Sequence, residues 1–132
     1  MPALQTLVLT DRKATPVNHT FTPTSGASGV AQLAEATGVP IGDNRVTISS
    51  SRTSGGRYKS TLKFSFPVVQ TQTVNGVSSP VVVRTGYAEL TFNFADTSTE
   101  AERNDIVGMV ASALATTKTI VNDTVVKTEG IW

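Results

Sequence analysis

With 132 residues, 39% apolar and 16% charged, the chain has the length and composition of one globular domain rather than a disordered or membrane-embedded polypeptide. No run approaches the roughly 18 apolar residues of a membrane helix, and Met1-Pro2-Ala3-Leu4 lacks a basic region followed by an apolar run, so no export signal is expected. Cysteine is absent, which excludes disulfides, thiolate chemistry and cysteine-ligated zinc. The two sequons, Asn18-His19-Thr20 and Asn122-Asp123-Thr124, have no expected route to glycosylation and read as chance.

From the start through Asp43 the chain is rich in Thr, Pro, Gly and Ser, with apolar fragments at Leu4–Val8, Phe21 and Val30–Leu33; short strands joined by turns fit this pattern. A regular period of two then sets in. Arg45, Thr47, Ser49 and Ser51 alternate with Val46 and Ile48. After the flexible Ser54-Gly55-Gly56, Lys59, Thr61, Lys63 and Ser65 alternate with Leu62, Phe64 and Phe66. A third segment opposes Tyr87, Glu89, Thr91 and Asn93 to Ala88, Leu90, Phe92 and Phe94. Antiparallel sheets commonly bury one face and hydrate the other, so the even positions are expected to form a core face and the odd ones an open polar face. Between the second and third strands, Gln70 to Pro80 reads as an uncharged polar connector with an Asn-Gly turn, either a contact loop or an ordinary hairpin tip.

The period changes at Thr99, which with Glu102 makes a capping box; Ile106, Met109, Val110, Ala113 and Leu114 follow at helical spacing, predicting a helix over Thr97–Thr116. Ile120, Val121, Thr124 and Val125 mark a second, shorter helix. These helices are the obvious cover for an apolar sheet face, either of their own sheet or of a second copy's.

The formal charge of +1 conceals an asymmetry. Asn44 to Ala88 carries Arg45, Arg52, Arg57, Lys59, Lys63 and Arg84 with no acid, a segment at +6 against −5 for the flanks. A confined basic face is suited to an anionic partner, although a solvated face would carry the same residues. Enzyme chemistry finds little footing. His19 is the only histidine, Ser54–Ser60 lacks the glycine before lysine that a phosphate loop needs, and the acids from Asp96 to Asp105 are accounted for by the helix start. The odd face is better equipped for RNA: Arg45, Lys59 and Lys63 for phosphates, Thr47, Ser49 and Thr61 as small donor-acceptors, and Tyr87 as a stacking ring.

Gly29-Val30-Ala31, Arg45-Val46-Thr47, Tyr58 through Lys63, Thr71 through Val77 and Pro80 through Tyr87, in this order and spacing, resemble the coat proteins of small single-stranded RNA bacteriophages, the leviviruses. The resemblance covers the whole chain. It implies an α+β fold over residues 1–132 as a single domain, strand-rich over 1–95 and helical over 97–128. An N-terminal hairpin and antiparallel sheet are followed by two helices that interlock with a second subunit, so that the homodimer has one continuous sheet. It implies assembly into an icosahedral shell, usually with T=3 geometry, with Gln70–Pro80 near the symmetry axes, and a virion location after synthesis in the bacterial cytoplasm. It also implies binding of an RNA hairpin at the replicase start, which represses translation and marks the genome for packaging. The family's adenine pocket maps onto Val30, Thr47, Ser49, Thr61 and Lys63, its stacking tyrosine onto Tyr87, and basic backbone contacts onto Arg45 and Lys59. No cofactor and no catalytic residue are implied. Glu89 stands where some relatives carry Asn against RNA, and Ser51 where some carry Arg, so the preferred loop sequence differs or Glu89 makes a selective contact. The alternative is a dimeric RNA-binding regulator that forms no shell.

Overall fold

The computed structural model describes residues 3–27 and 29–131; the Met1-Pro2 start on which the export reading rests lies outside them. Two compact units are present, Met1–Asn93 and Phe94–Trp132. The first is built on an antiparallel meander of six strands in sequence order: β1 (Leu7–Thr10), β2 (Asn18–Ala27), β3 (Val30–Glu35), β4 (Asn44–Arg52), β5 (Arg57–Val74) and β6 (Val77–Ala95). The last of these runs two residues past Asn93 into the second unit, which holds helices α1 (Glu100–Ala113) and α2 (Thr119–Val125).

The register explains why one face is apolar. Leu33 lies opposite Val46, which lies opposite Phe64; Ala31, Ile48 and Leu62 form the next row. Leu7 pairs with Phe21 at the other end of the sheet. Phe21, Leu33 and Val46 are fully buried, with Leu7, Leu9, Ala31, Ile48 and Phe64 packed around them. Each such side chain contributes about 1.5–3 kcal/mol by leaving water. This core matches the even face expected for β4 and β5. Strands β1 to β3 reach it through odd positions, because the pairing sums are odd between β3 and β4, even between β1 and β2, and even between β2 and β3 up to a bulge. That bulge lies between Pro23 and Ser25 in β2, where one extra residue breaks the alternation.

Tight turns fix the hairpins. Gly29 connects β2 to β3 with φ +83°, and a Cβ there would sit 3.2 Å from the carbonyl oxygen of Ser50, so only glycine combines this dihedral with this approach. Asn75 and Gly76 have φ 52° and 78°, the pair of positive values that a two-residue type I′ hairpin requires. Of the two readings of this segment, contact loop or hairpin tip, the structure has the hairpin tip. Gln70–Pro80 is not a loop: β5 continues to Val74 and β6 begins at Val77, and a hydroxyl bond of 3.1 Å joins Thr73 to Ser78 across the ladder. The Thr and Val content of the segment favours extended backbone, and its polarity reflects exposure on both faces.

In the second unit the capping box forms as expected. Glu102 N–H donates to Thr99 Oγ1 at 3.2 Å, and Thr99 N–H to Glu102 Oε2 at 3.4 Å. The helix is shorter than the expected Thr97–Thr116. Ser98 instead closes a turn on Ala95 and is held by the Arg103 guanidinium, 2.7 Å from its carbonyl oxygen. No residue of either helix is buried, and Met109, Ile120 and Val125 are each about two-thirds exposed.

Candidate nucleic-acid interface

The polar face of the sheet is organised by cross-strand rows. Val30 on β3 lies opposite Ser49 on β4, which lies opposite Thr61 on β5. The next row is Gln32, Thr47 and Lys63, and the one after it Ala34, Arg45 and Ser65. Opposed residues in antiparallel strands hold their Cβ atoms roughly 5 Å apart, so each row is a line of touching side chains. Val30, Thr47, Ser49, Thr61 and Lys63 therefore occupy two adjacent rows on three adjacent strands. Val30 has even numbering and escaped the parity rule for β4 and β5, yet its opposition to Ser49 brings it to the same face. On the far side of the Ser49–Thr61 pair, Ser51 faces Lys59.

Burial gives this patch a floor and a rim. Thr61 is buried, at 8% exposure; Thr47 and Ser49 are half-buried; Val30, Arg45, Lys59 and Lys63 are exposed. Among the described residues, the side chains of Arg45, Lys59 and Lys63 have no carboxylate within ion-pair distance, and the hydroxyls of Thr47, Ser49 and Thr61 have no protein partner. Because no buried polar side-chain atom is left unsatisfied, the Thr61 hydroxyl reaches the surface. The patch thus offers positive charge and directional donors and acceptors to something outside the chain.

Tyr87 and Glu89 lie on β6, the strand next to β5. Tyr87 is 80% exposed, an aromatic ring with its face open to stacking. Glu89, Thr91 and Asn93 are exposed while Leu90, Phe92 and Phe94 are half-buried, so the expected alternation holds along this part of β6. The Glu89 carboxylate has no cationic partner among the described residues.

A second polar cluster was not legible in the sequence. His19, read as partnerless, lies between two carboxylates: its Nδ1 is 2.7 Å from Glu35 Oε2 and its Nε2 is 2.8 Å from Asp11 Oδ2. Asn44 donates to the other Glu35 oxygen at 2.7 Å, and the backbone N–H of Val17 donates to Asp11 at 3.0 Å. A neutral imidazole donates from one nitrogen only, so satisfying both carboxylates requires the imidazolium. Hydrogen bonding to Asp11 and then to Glu35 accordingly raises the His19 pKa above its ordinary value. The imidazolium, followed by the Val17 N–H, holds Asp11 well below the usual carboxylate range. The cluster borders a recess of about 400 Å³ lined by Leu9, Phe21 and Phe66, and joins the β1–β2 hairpin to β3 and β4. It is a structural tie without a nucleophile. The signal lay in spacing across the sheet, with Asp11, His19 and Glu35 meeting only through the pairing of β1, β2 and β3.

Residues 2–132 match the family model described as Levivirus coat protein. The chain is 54% identical over 129 residues to the capsid protein of Pseudomonas phage PRR1, covering 98% of each chain. Among solved structures it is similar to the virus-like particle of bacteriophage NT-214, with a TM-score of 0.86 and 27% identity over 99% of this chain and 100% of that one. The bacteriophage GA protein capsid superposes with a TM-score of 0.81 and 27% identity over 97% of both chains.

Proposed function

The chain belongs to the levivirus coat protein family, and from that premise we propose that it is the capsid protein of an RNA phage virion, forming a shell and binding an RNA hairpin on the polar face of its sheet. Its relatives are structural proteins rather than enzymes. The single observation that carries the RNA reading is the two-row cluster: five residues distant in sequence converge on three strands, with hydroxyls and an ammonium that no other described residue engages.

In this reading Val30, Thr47, Ser49, Thr61 and Lys63 enclose an unpaired adenine. Arg45 and Lys59 neutralise phosphates, Tyr87 stacks on a second loop base, and Glu89 accepts a hydrogen bond from a base amine while disfavouring phosphate nearby. The bound hairpin lies at the replicase start, so occupancy represses translation and marks the genome for packaging. Residues 1–132 act as one coat-protein domain. Two copies interlock, each covering the other's sheet with its helices, and the dimers build a T=3-like shell. Support for self-association comes from apolar side chains left in water, Ile106, Met109, Ile120 and Val125 among them, and from β6 as an edge strand of the sheet.

Electron microscopy of purified protein is expected to show spherical particles; persistent monomers over a range of salt and RNA concentrations would remove the assembly reading, and small dimers that bind RNA would leave a regulator without a shell. In mobility-shift assays Lys63→Ala and Thr61→Ala are expected to weaken hairpin binding on the order of tenfold or more with dimers intact, the loss of one charge-assisted or buried hydrogen bond. Parent-like affinity in both variants would refute the pocket.

A further inference from the structure

We infer that Asn75 is a site of spontaneous modification, converting to aspartate and isoaspartate at a rate set by opening of the β5–β6 hairpin tip. Of the six asparagines only Asn75 precedes a glycine, and it alone lies between strands: Asn18, Asn44 and Asn93 are in strands, and Asn104 and Asn122 in helices. Its carboxamide has no hydrogen-bond partner among the described residues. Asn75 and Gly76 are both exposed, and a Cβ built on Gly76 would meet nothing within 4 Å. Neither a side chain at residue 76 nor a neighbour therefore screens the next backbone nitrogen from the Asn75 carboxamide.

The reaction needs only water and base. Hydroxide takes the proton of the Gly76 N–H, the nitrogen attacks Asn75 Cγ, and the Cγ–Nδ2 bond breaks as ammonia leaves with a proton from water. Water then opens the cyclic imide, at the Cγ carbonyl to give aspartate or at the backbone carbonyl to give isoaspartate, with no change of oxidation state. The closed turn opposes the first step. With φ 52° at Asn75 and 78° at Gly76 the turn is type I′, whose first central residue has ψ of about +30°. For an L-residue that angle sets the next nitrogen nearly opposite Cβ across the Cα–C bond, whereas ring closure needs the two on the same side. Closure thus waits for the tip to open. Opening costs little, because residues 70–80 are all exposed and, beyond the backbone ladder, the tip is held by the 3.1 Å hydroxyl bond between Thr73 and Ser78. Aspartate suits the same turn but puts an anion into the Asn44–Ala88 segment, which otherwise has none. Isoaspartate lengthens the backbone by one methylene and takes the turn out of step with its ladder.

The test incubates the whole protein in heavy-oxygen water at mildly alkaline pH, folded and in guanidinium chloride, and follows residue 75 by peptide mass spectrometry. Thr73→Val is run alongside; it keeps the branched shape and removes the hydroxyl. Label is expected at residue 75 before any other asparagine, and faster in denaturant than in the folded protein. Folded Thr73→Val is expected to convert about two- to tenfold faster than the folded parent, the loss of one hydrogen bond from the closed state. No label at residue 75 of the folded parent over the whole incubation overturns the site, whatever the denatured sample shows. Equal rates in folded and denatured parent, or a Thr73→Val rate equal to the parent's, overturn control by the hairpin tip.

Discussion

The two polar regions of the strand unit are built on opposite plans. In the N-terminal corner, Asp11, His19, Glu35 and Asn44 satisfy one another at distances of 2.7–2.8 Å. On the β3–β5 face, Arg45, Lys59 and Lys63 and three hydroxyls find no partner among the described residues. Charges that complete one another hold a fold together, while charges left open are available to a ligand. The contrast teaches that polarity alone does not mark a binding surface; what separates it from a structural cluster is whether its groups are paired within the chain.

The largest effect is expected in the apolar core beside the N-terminal corner. Phe21→Ala empties a fully buried position that lines the same recess as His19, and a loss of about 3–5 kcal/mol in chemical denaturation is expected. A loss below about 1 kcal/mol would mean that the corner relaxes into the space. Next comes the tie itself. The raised pKa of His19 contributes stability that is fully present below its ordinary value near 6.5 and is lost as pH rises through the raised folded value. The lowered pKa of Asp11 contributes stability present above the ordinary value near 3.8 and lost as pH falls below it. Urea midpoints are therefore expected to be highest between those two values and to fall on either side. His19→Gln should abolish the decline on the alkaline side, and identical pH profiles for variant and parent would show that the corner does not depend on the imidazolium. The smallest effect belongs to the open face. If Arg45, Lys59 and Lys63 each displace a counterion from single-stranded RNA, log affinity should fall against log salt with a slope of about 2, and removal of any one of them should reduce the slope by about 0.7. A flat salt response would break the contrast between the two regions.

What the sequence made legible follows from the range of each signal. Period two along β4, β5 and the later half of β6 placed the core and polar faces, because alternation is written within one strand. The α1 start was readable from Thr99 and Glu102 for the same reason, since both halves of the box lie three residues apart. The His19 cluster was not readable, since it depends on which residue of one strand faces which residue of the next. At Gln70 to Pro80 the Asn-Gly turn was readable, while the choice between contact loop and hairpin tip was not. Absence of charge and an Asn-Gly pair signal a turn, but only the two turn residues depart from extended backbone, and the polar flanks simply have water on both sides.

The bulge in β2 gives the sheet a phase as well as a bend. Before it, Phe21 and His19 share the buried side; after it, Ser25, which has the same parity as both, pairs with Gln32 on the open side. A single residue thus lets one strand serve the tie at one end and the ligand face at the other. Substitution of Thr24 leaves that offset in place, but its deletion would bring the two ends into step, and either the β1–β2 hairpin would turn Phe21 to water or the far end would turn Ser25 into the core. In this strand, residue count is a stricter constraint than residue identity.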